Sequence, residues 1–258
     1  MLGAIAGDIC GSEYERLGPK TTDIPIFTDK SHITDDTVLS LAIADRILNG
    51  GSYAHNVKKY GRAYPNAGYG FRFRGWLSSN DYEAYNSWGN GSAMRVSAVG
   101  FAFNDLARVL EEAKLSAEIT HNHPEGIKGA QATAAAIFLG RTGSSKAAIQ
   151  HYISSEFGYD LNRSLTEIRP SYRFDVSCAG SVPESIIAFL AADDVEDAIR
   201  KAISLGGDTD TMACIAGGIA QAYFGEVSSY VISNTKMRLP IALLEVLEAF
   251  EARYSCYR

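Results

Sequence analysis

Apolar residues recur with helical spacing through most of the chain. Residues 37–48 are apolar nearly all round, as in a buried helix, whereas residues 106–119 form an amphipathic pattern and residues 126–139 are rich in alanine. Four more segments have helical character: 182–190, 195–203, 212–224 and 239–254. Pro183 and Pro240 lie near the predicted starts of two of these helices, where a missing N–H is tolerated. Alternating strand patterns are nearly absent, so the sequence predicts an all-α fold.

One stretch, from Tyr60 to Ser92, interrupts this pattern with glycine, asparagine and aromatic residues. A connection of this length usually has a function, and its aromatic content argues against disorder. The rings could stack on a planar ligand such as a nucleobase, or they could close one end of the helical core. The chain contains no repeat, low-complexity tract or Pro/Ser-rich linker, so we expect a single domain over residues 1–258.

Composition and charge narrow the class of protein. The formal net charge of −6 argues against a protein that grips nucleic acid or an anionic membrane. No stretch reaches the roughly twenty apolar residues of a membrane span, and the N-terminal segment lacks the basic region of a signal peptide. The scattered cysteines form no CxxC pair, so we expect free thiols and a cytoplasmic protein; they are Cys10, Cys178, Cys214 and Cys256.

Two similar acidic segments precede predicted helices that are far apart in the chain. The first is TDDT at residues 34–37, and the second is GGDTDT at residues 206–211. Threonine and aspartate are favoured N-cap residues, and acidic side chains in a first turn stabilise the helix dipole. Helix capping therefore explains either segment taken alone.

Taken together, the two segments indicate a metal site. Both following helices are nearly free of polar residues, so their starts would place four carboxylates in or near the interior, where each needs a cation. Neither segment contains Lys or Arg. If the helix starts converge, four Asp and two Thr form an all-oxygen site suited to Mg²⁺, Mn²⁺ or Ca²⁺, and a shared Asp could bridge two ions. Gly206 and Gly207 would permit the tight turn that aims Asp208 and Asp210 at one point.

Four motifs in a fixed order then identify a family resemblance. They are GDICG at residues 7–11 followed by Glu15, the segment 34–37, GNGSAMR at residues 89–95, and GDTDT at residues 207–211. This arrangement resembles the ADP-ribosylglycohydrolase family over about residues 1–225. The resemblance implies a single compact orthogonal multi-helix bundle with a central metal-lined cleft, and an enzyme that releases ADP-ribose from a modified side chain.

The resemblance also implies the roles of individual residues. Two divalent cations, Mg²⁺ or Mn²⁺, would be held by Thr34, Asp35, Asp36, Asp208, Asp210 and Thr211. Glu15 is the first candidate for the catalytic carboxylate and Asp208 is the second. The ADP-ribose diphosphate and distal ribose would be contacted by Gly89, Asn90, Gly91, Ser92 and Met94, with His121 in the same cleft.

Simpler explanations stay open for several of these positions. Asn90 could be a turn residue, His123 a loop or cap residue before Pro124, and Arg95 a structural ion-pair partner. The spacing of Glu13 from Asp8 does not fit the family pattern. The sequence does not say which ring would serve adenine among Phe71, Phe73, Trp76, Tyr82 and Tyr85.

Three functions are compatible with these features. The preferred one is a metal-dependent hydrolase that releases ADP-ribose from a modified arginine or serine of a protein substrate. The second is a non-catalytic member that binds ADP-ribose or has a crystallin-like structural role, which the loss of a ligand Asp would favour; none is lost. The third is hydrolysis of another ADP-ribosyl conjugate, such as a nucleic-acid base or a small metabolite. We expect no membrane partner, and the net charge disfavours nucleic acid.

Overall fold

Helices form nearly all the regular structure of the computed structural model, which describes residues 1–15 and 18–254. The helices of this part are α1 (Leu2–Gly11), α2 (Asp35–Asn49), α3 (Tyr53–Ala63), α4 (Phe71–Ser78), α5 (Gly91–Met94), α6 (Ser97–Ala102), α7 (Leu106–Glu118), α8 (Pro124–Arg141), α9 (Lys146–Phe157), α10 (Leu165–Ile168), α11 (Cys178–Leu190), α12 (Val195–Ile203), α13 (Thr209–Phe224), α14 (Ser229–Met237) and α15 (Ile241–Tyr254). The described residues contain no strand, only an isolated antiparallel bridge between Gly89 and Ser177. The predicted all-α class is confirmed.

All seven helices predicted from the sequence are present, and α12 has the predicted bounds. The prediction that Pro183 lies near a helix start is wrong, because α11 begins at Cys178 and Pro183 lies inside it. Ser177 caps this helix by accepting a hydrogen bond from the N–H of Gly180 at 2.9 Å, which moves the start upstream of the proline. Pro240 does precede α15 directly.

The stretch 60–92 is not one long loop, as its composition suggested. Helix α3 continues to Ala63, and α4 occupies the middle of the stretch. Lys58 of α3 is buried, and its ammonium group donates to the carbonyl oxygens of Trp76 at 2.5 Å and Ser79 at 2.8 Å. These bonds satisfy carbonyl groups at the end of α4 and hold it against α3.

Helices α1 and α13 lie antiparallel and in backbone contact. A Cβ atom placed on Gly3, Gly7 or Gly11 would overlap with the backbone of Gly217, Ala213 or Thr209, respectively. The spacing of four residues puts the three glycines on one face of α1, so the absence of side chains lets the two backbones meet. This contact carries the end of α1 to the first turn of α13.

The core between the helices is apolar and contains Cys10, Cys178 and Cys214 as buried free thiols. Cys256 lies outside the described residues. Among the described residues, no helix has both the length and the apolar character needed to cross a membrane.

Candidate metal centre and ligand cleft

A cavity of about 560 Å³ opens where α1, α2, α5 and α13 meet. Almost all of the residues predicted to form the site line it: Glu15, Thr34, Asp35, Asp36, Gly89, Asn90, Gly91, Met94, His121, Asp208, Asp210 and Thr211. Ser92 is the exception. It is fully buried, and its hydroxyl donates to the carbonyl oxygen of Gly126 at 2.6 Å, so its side chain ties the loop to α8 and does not face the cavity.

Two groups of carboxylates lie at the base of this cleft and share one member, and all of their members except Asp8 line the cavity. Oxygen atoms of Asp8, Asp36 and Asp210 lie within 4.8 Å of one another, and so do oxygen atoms of Glu15, Asp208 and Asp210. The two acidic segments therefore converge, and Asp210 is the carboxylate that belongs to both groups. Gly206 and Gly207 have φ values of 72° and 87°, the left-handed turn that this arrangement requires.

Asp8 is a member of this cluster that the sequence analysis missed. It is fully buried on α1, and its carboxylate accepts hydrogen bonds from Thr34 Oγ1 at 2.5 Å, from the N–H of Thr34 at 3.0 Å and from the N–H of Thr37 at 3.1 Å. The Thr37 hydroxyl donates to the same carboxylate. Through these bonds Asp8, which lies on α1, holds the first turn of α2 in place. The sequence contains one signal for this role, because Asp8 is a charged residue inside an otherwise apolar helical segment.

Asp36 presents an oxygen atom that has no hydrogen-bond partner in the described part of the chain. Thr211 Oγ1 lies 3.3 Å from Asp36 Oδ2, and Thr34 Oγ1 lies 3.4 Å from it, whereas Oδ1 is buried without a hydrogen bond among the described residues. A buried carboxylate oxygen without a partner is costly, so this atom marks a position for a cation.

Helix capping accounts for only part of the two acidic segments. The Thr34 side chain caps α2 by accepting from the N–H of Asp36 at 3.3 Å. Asp208 occupies the N-cap position of α13, yet its side chain makes no capping bond and instead accepts from Asn90 Nδ2 at 2.7 Å. Asn90 is therefore more than a turn residue, because it orients a carboxylate of the cluster.

Asp35 lines the cleft but belongs to neither group of three carboxylates among the described residues. A Cβ placed on Gly68 would lie 3.4 Å from Asp35 Oδ1, so this carboxylate lies toward the segment before α4. The structure thus places five of the six predicted ligands around the two groups and Asp35 at their edge.

Four carboxylates of the cluster, those of Asp8, Asp36, Asp208 and Asp210, take part in none of the ion pairs found among the described residues. Burial, with repulsion from Asp210, raises the pKa of Asp8 to about 6, although hydrogen bonds from Thr34 and Thr37 oppose the shift. The same two causes raise the pKa values of Asp36 and Asp208.

These features fit divalent cations. The donors are carboxylate and hydroxyl oxygens, which suit hard cations such as Mg²⁺, Mn²⁺ and Ca²⁺. The raised pKa values of Asp8, Asp36 and Asp208 express the cost of gathering carboxylates in the interior, and bound cations would lower that cost by supplying positive charge.

The glycine segment of residues 89–91 forms one wall of the cleft. It is held by backbone hydrogen bonds from the N–H of Asn90 to the carbonyl of Val176 at 2.7 Å, and from the N–H of Cys178 to the carbonyl of Trp88 at 3.1 Å. The wall is therefore fixed by the segment that leads into α11, whose contribution the sequence did not indicate.

Aromatic residues divide between the core and the rim of the cleft. Phe73 and Trp76 are buried, and the ammonium of Lys58 lies 4.4 Å from the Trp76 ring. Closure of the core explains Trp76, whereas Phe73 also lines the cavity. Tyr82 does not line the cavity. The rim carries Tyr85 and the exposed rings of Phe71, Trp88 and Phe174. Trp88 and Phe174 are additions to the rings considered from the sequence.

Two histidines and one arginine near the glycine segment have distinct roles. His123 Nδ1 accepts from the N–H of Glu125 at 3.1 Å, which confirms the cap role. His121 is buried and lines the cleft. Arg95 has no ion-pair partner among the described residues, so that interpretation is wrong; its guanidinium donates to the carbonyl of Ser116 at 2.9 Å and to Thr120 Oγ1 at 2.9 Å.

Comparison with known proteins agrees with this geometry. The family model for ADP-ribosylglycohydrolase matches residues 1–247. ADP-ribosylhydrolase ARH3 of Gallus gallus is 29% identical, with coverage of 88% of this chain and 84% of the relative. ADP-ribosylarginine hydrolase Tri1 of Pseudomonas putida is 25% identical, with coverage of 87% and 69%. A solved structure titled as an ADP-ribosylglycohydrolase-related protein complex has a TM-score of 0.72 at 22% identity and covers 98% of this chain and 97% of its own, which shows the same fold.

Proposed function

Since this chain belongs to the ADP-ribosylglycohydrolase family, we propose that it is a metal-dependent hydrolase. Its substrate is a protein carrying ADP-ribose on an arginine or serine side chain, and its product is free ADP-ribose. The proposal covers one domain, residues 1–258, acting in the cytoplasm. Tri1, a relative named as an ADP-ribosylarginine hydrolase, supports the arginine substrate in particular.

One observation carries this proposal: two carboxylate groups that share Asp210 lie in the floor of a cleft whose wall is a glycine segment. The acidic groups would hold two cations, Mg²⁺ or Mn²⁺, through Thr34, Asp35, Asp36, Asp208, Asp210 and Thr211. When bound, these cations supply positive charge that orients ribose hydroxyls and stabilises the sugar as its glycosidic bond breaks.

Residues of the chain supply the proton transfer and the contacts with the substrate. Glu15 is half-buried and lies in one carboxylate group, where it can take a proton from the attacking water. Asp208, held by Asn90, is the second candidate for this proton transfer. Gly89 and Gly91 carry no side chain, so their backbone can approach phosphate oxygens closely. Met94 and His121 complete the wall of the proposed ADP-ribose site.

The test measures release of free ADP-ribose from arginine- and serine-ADP-ribosylated peptides, each with Mg²⁺, with Mn²⁺ and with EDTA. We expect metal-dependent release from at least one peptide and its loss in the Asp208→Ala, Asp210→Ala double variant. Asp29→Ala, at an exposed aspartate outside the cleft, is the control.

Each other result points to a different function. Tight, metal-dependent ADP-ribose binding without cleavage of either peptide contradicts the protein substrate and favours a non-catalytic role or another ADP-ribosyl conjugate. Release that persists in the double variant contradicts the assignment of the site.

A further inference from the structure

Arg95 is a fully buried cation that lines the cavity beside the glycine segment, and its Nε and Nη1 have no hydrogen-bond partner among the described residues. Its Nη2 donates to the carbonyl oxygen of Ser116 and to Thr120 Oγ1, both at 2.9 Å. These groups lie at the C-terminal end of α7, where the helix dipole favours a positive charge. The arginine is thus anchored to the turn that leads into His121.

The hydroxyl of Thr120 connects this arginine to the histidine. Thr120 Oγ1 lies 2.7 Å from His121 Nδ1, and the whole residue is buried. Because a guanidinium group has only donors, Thr120 Oγ1 must accept from Arg95. The hydroxyl hydrogen then remains for His121 Nδ1. The opposite arrangement would leave this hydrogen without an acceptor in a buried site, which is costly.

The other ring nitrogen of His121 lies against the glycine segment. A Cβ placed on Gly91 would lie 3.1 Å from Nε2, and one placed on Gly89 would lie 3.7 Å from it. His121 is only 5% exposed, and Nε2 has no hydrogen-bond partner among the described residues. Because His121 lines the cleft, a ligand bound there can supply the partner of this ring nitrogen.

The surroundings of His121 favour the neutral ring. Burial, with repulsion from Arg95 and Arg72, lowers the pKa of His121 well below its ordinary value. The neighbouring ring of Tyr85, whose centroid lies 6.2 Å from that of His121, carries no negative charge that would raise the pKa of His121 again. A neutral imidazole has one donor nitrogen and one acceptor nitrogen, so the tautomer decides what His121 offers to the cleft.

We propose that Arg95 and Thr120 are positioning residues that hold His121 in its Nε2–H tautomer, and that this N–H donates to an oxyanion of the ligand beside Gly89 and Gly91. The class of ligand is a phosphate ester. Its identification with the ADP-ribose diphosphate rests on the proposed function, whereas the tautomer is a property of the free protein.

The first experiment reads the tautomer directly. Long-range ¹H–¹⁵N correlation spectra of the imidazole rings, recorded on the free protein at pH 7.5 and assigned with His121→Gln, should show His121 as the Nε2–H form. In Thr120→Val, which keeps the side-chain shape but removes the hydroxyl, the Nδ1–H form should become populated. Thr120→Ser, which restores a hydroxyl, should recover the Nε2–H form.

The second experiment measures ADP-ribose binding by calorimetry in the presence of Mg²⁺. Thr120→Val should bind about tenfold more weakly than Thr120→Ser, as the loss of a hydrogen bond to a charged group implies. His121→Gln places an amide N–H near the position of Nε2, whereas His121→Asn places one near Nδ1. The glutamine variant should therefore bind about tenfold more tightly than the asparagine variant.

Three results overturn the inference: an Nδ1–H or doubly protonated His121 in the free wild type, equal binding by Thr120→Val and Thr120→Ser, or equal binding by the two His121 variants. If the wild type binds no ADP-ribose, the proposed function is wrong about the ligand. In that case the spectra alone test the positioning role. It is upheld if His121 has the Nε2–H form in the wild type and loses it in Thr120→Val, and it is overturned by any other result.

Discussion

Asp210 is the side chain on which both acidic groups depend. Its carboxylate lies within 4.8 Å of oxygen atoms from Asp8 and Asp36 on one side and from Glu15 and Asp208 on the other. Replacing any other member leaves one group intact, whereas replacing Asp210 removes a ligand from both. The effect of a substitution should therefore be largest at this residue.

Asp210→Asn should reduce metal-dependent ADP-ribose release by at least about 100-fold, which exceeds the cost of most outer-sphere changes at metal sites. The amide has the size of the carboxylate but lacks its charge. Release assays over a Mg²⁺ titration measure the effect, with Asp29→Asn as a control at an exposed aspartate. Activity of Asp210→Asn within twofold of the wild type would contradict the dependence of the site on Asp210.

His121 predicts a pH dependence of stability at the same scale. Its pKa is lowered in the folded protein. Below about pH 6.5 the unfolded chain therefore binds a proton at His121, whereas the folded protein does not. Its contribution is therefore present above the unfolded pKa and is lost as the pH falls.

We expect the free energy of unfolding of the wild type, relative to His121→Gln, to fall between pH 7 and pH 5, by at most about 2 kcal/mol. Urea denaturation of both proteins across this range measures the difference. A difference that stays constant with pH would show that His121 takes up its proton equally in both states.

At the scale of the element, the contact between α1 and α13 decides where the carboxylates lie. Gly7 precedes Asp8, and a Cβ on Gly7 would overlap with the carbonyl group of Ala213 in α13. The backbones cannot separate locally, because Thr209 Oγ1 also donates to the carbonyl of Gly11 at 2.8 Å. The glycines of α1 therefore set the distance between Asp8 and the first turn of α13.

Gly7→Ala should lower the free energy of unfolding by about 3 kcal/mol, since overpacking against rigid backbone displaces a whole helix. Gly75→Ala is the matched control, because Gly75 also lies within a helix but a Cβ there meets nothing within 4 Å. The control should change stability by no more than about 1 kcal/mol, in the stabilising direction. Denaturant titrations of both variants compare them, and equal effects would contradict the close-contact argument.

At the scale of the molecule, the fold gathers the carboxylates of two groups that share Asp210 at the cleft. The pKa of Asp8 is raised to about 6 by burial and by repulsion from Asp210. A raised carboxyl pKa contributes stability at low pH, and that contribution is lost as the pH rises through about 6. The carboxyl groups of Asp8, Asp36 and Asp208 all act in this direction and together outweigh the opposite contribution of the single His121, so without cations the whole chain should be less stable at pH 7 than at pH 5.

In EDTA, we expect the free energy of unfolding to fall between pH 5 and pH 7, and Mg²⁺ to reverse the fall. At pH 7, a concentration of Mg²⁺ one hundred times its Kd should add about 2.7 kcal/mol of stability, and the gain should be smaller at pH 5, where protons compete. Thermal and urea denaturation measure both effects. A Mg²⁺ gain that is equal in Asp210→Asn and in the wild type would place the cation elsewhere.

The sequence by itself determined the features that depend on neighbouring residues. Helical periodicity identified seven helices, because burial of a helix face repeats every three or four positions. The two acidic helix starts were recognised because carboxylates without Lys or Arg beside them, ahead of apolar helices, need a cation. The turn at Gly206 and Gly207 could also be predicted, because it depends on the conformational freedom of these two glycines alone.

Tertiary structure alone decided which of these local features meet. Asp8 joins the site because glycines bring α1 against α13, whereas Asp35, adjacent to Asp36, lies at the edge because successive residues of a helix point in different directions. The Ser92 hydroxyl donates a hydrogen bond to the carbonyl of Gly126, and the Arg95 guanidinium donates one to Thr120 Oγ1 and pairs with no carboxylate among the described residues. Such pairings join residues distant in sequence, and their partners are fixed by the packing of helices, which no local pattern encodes.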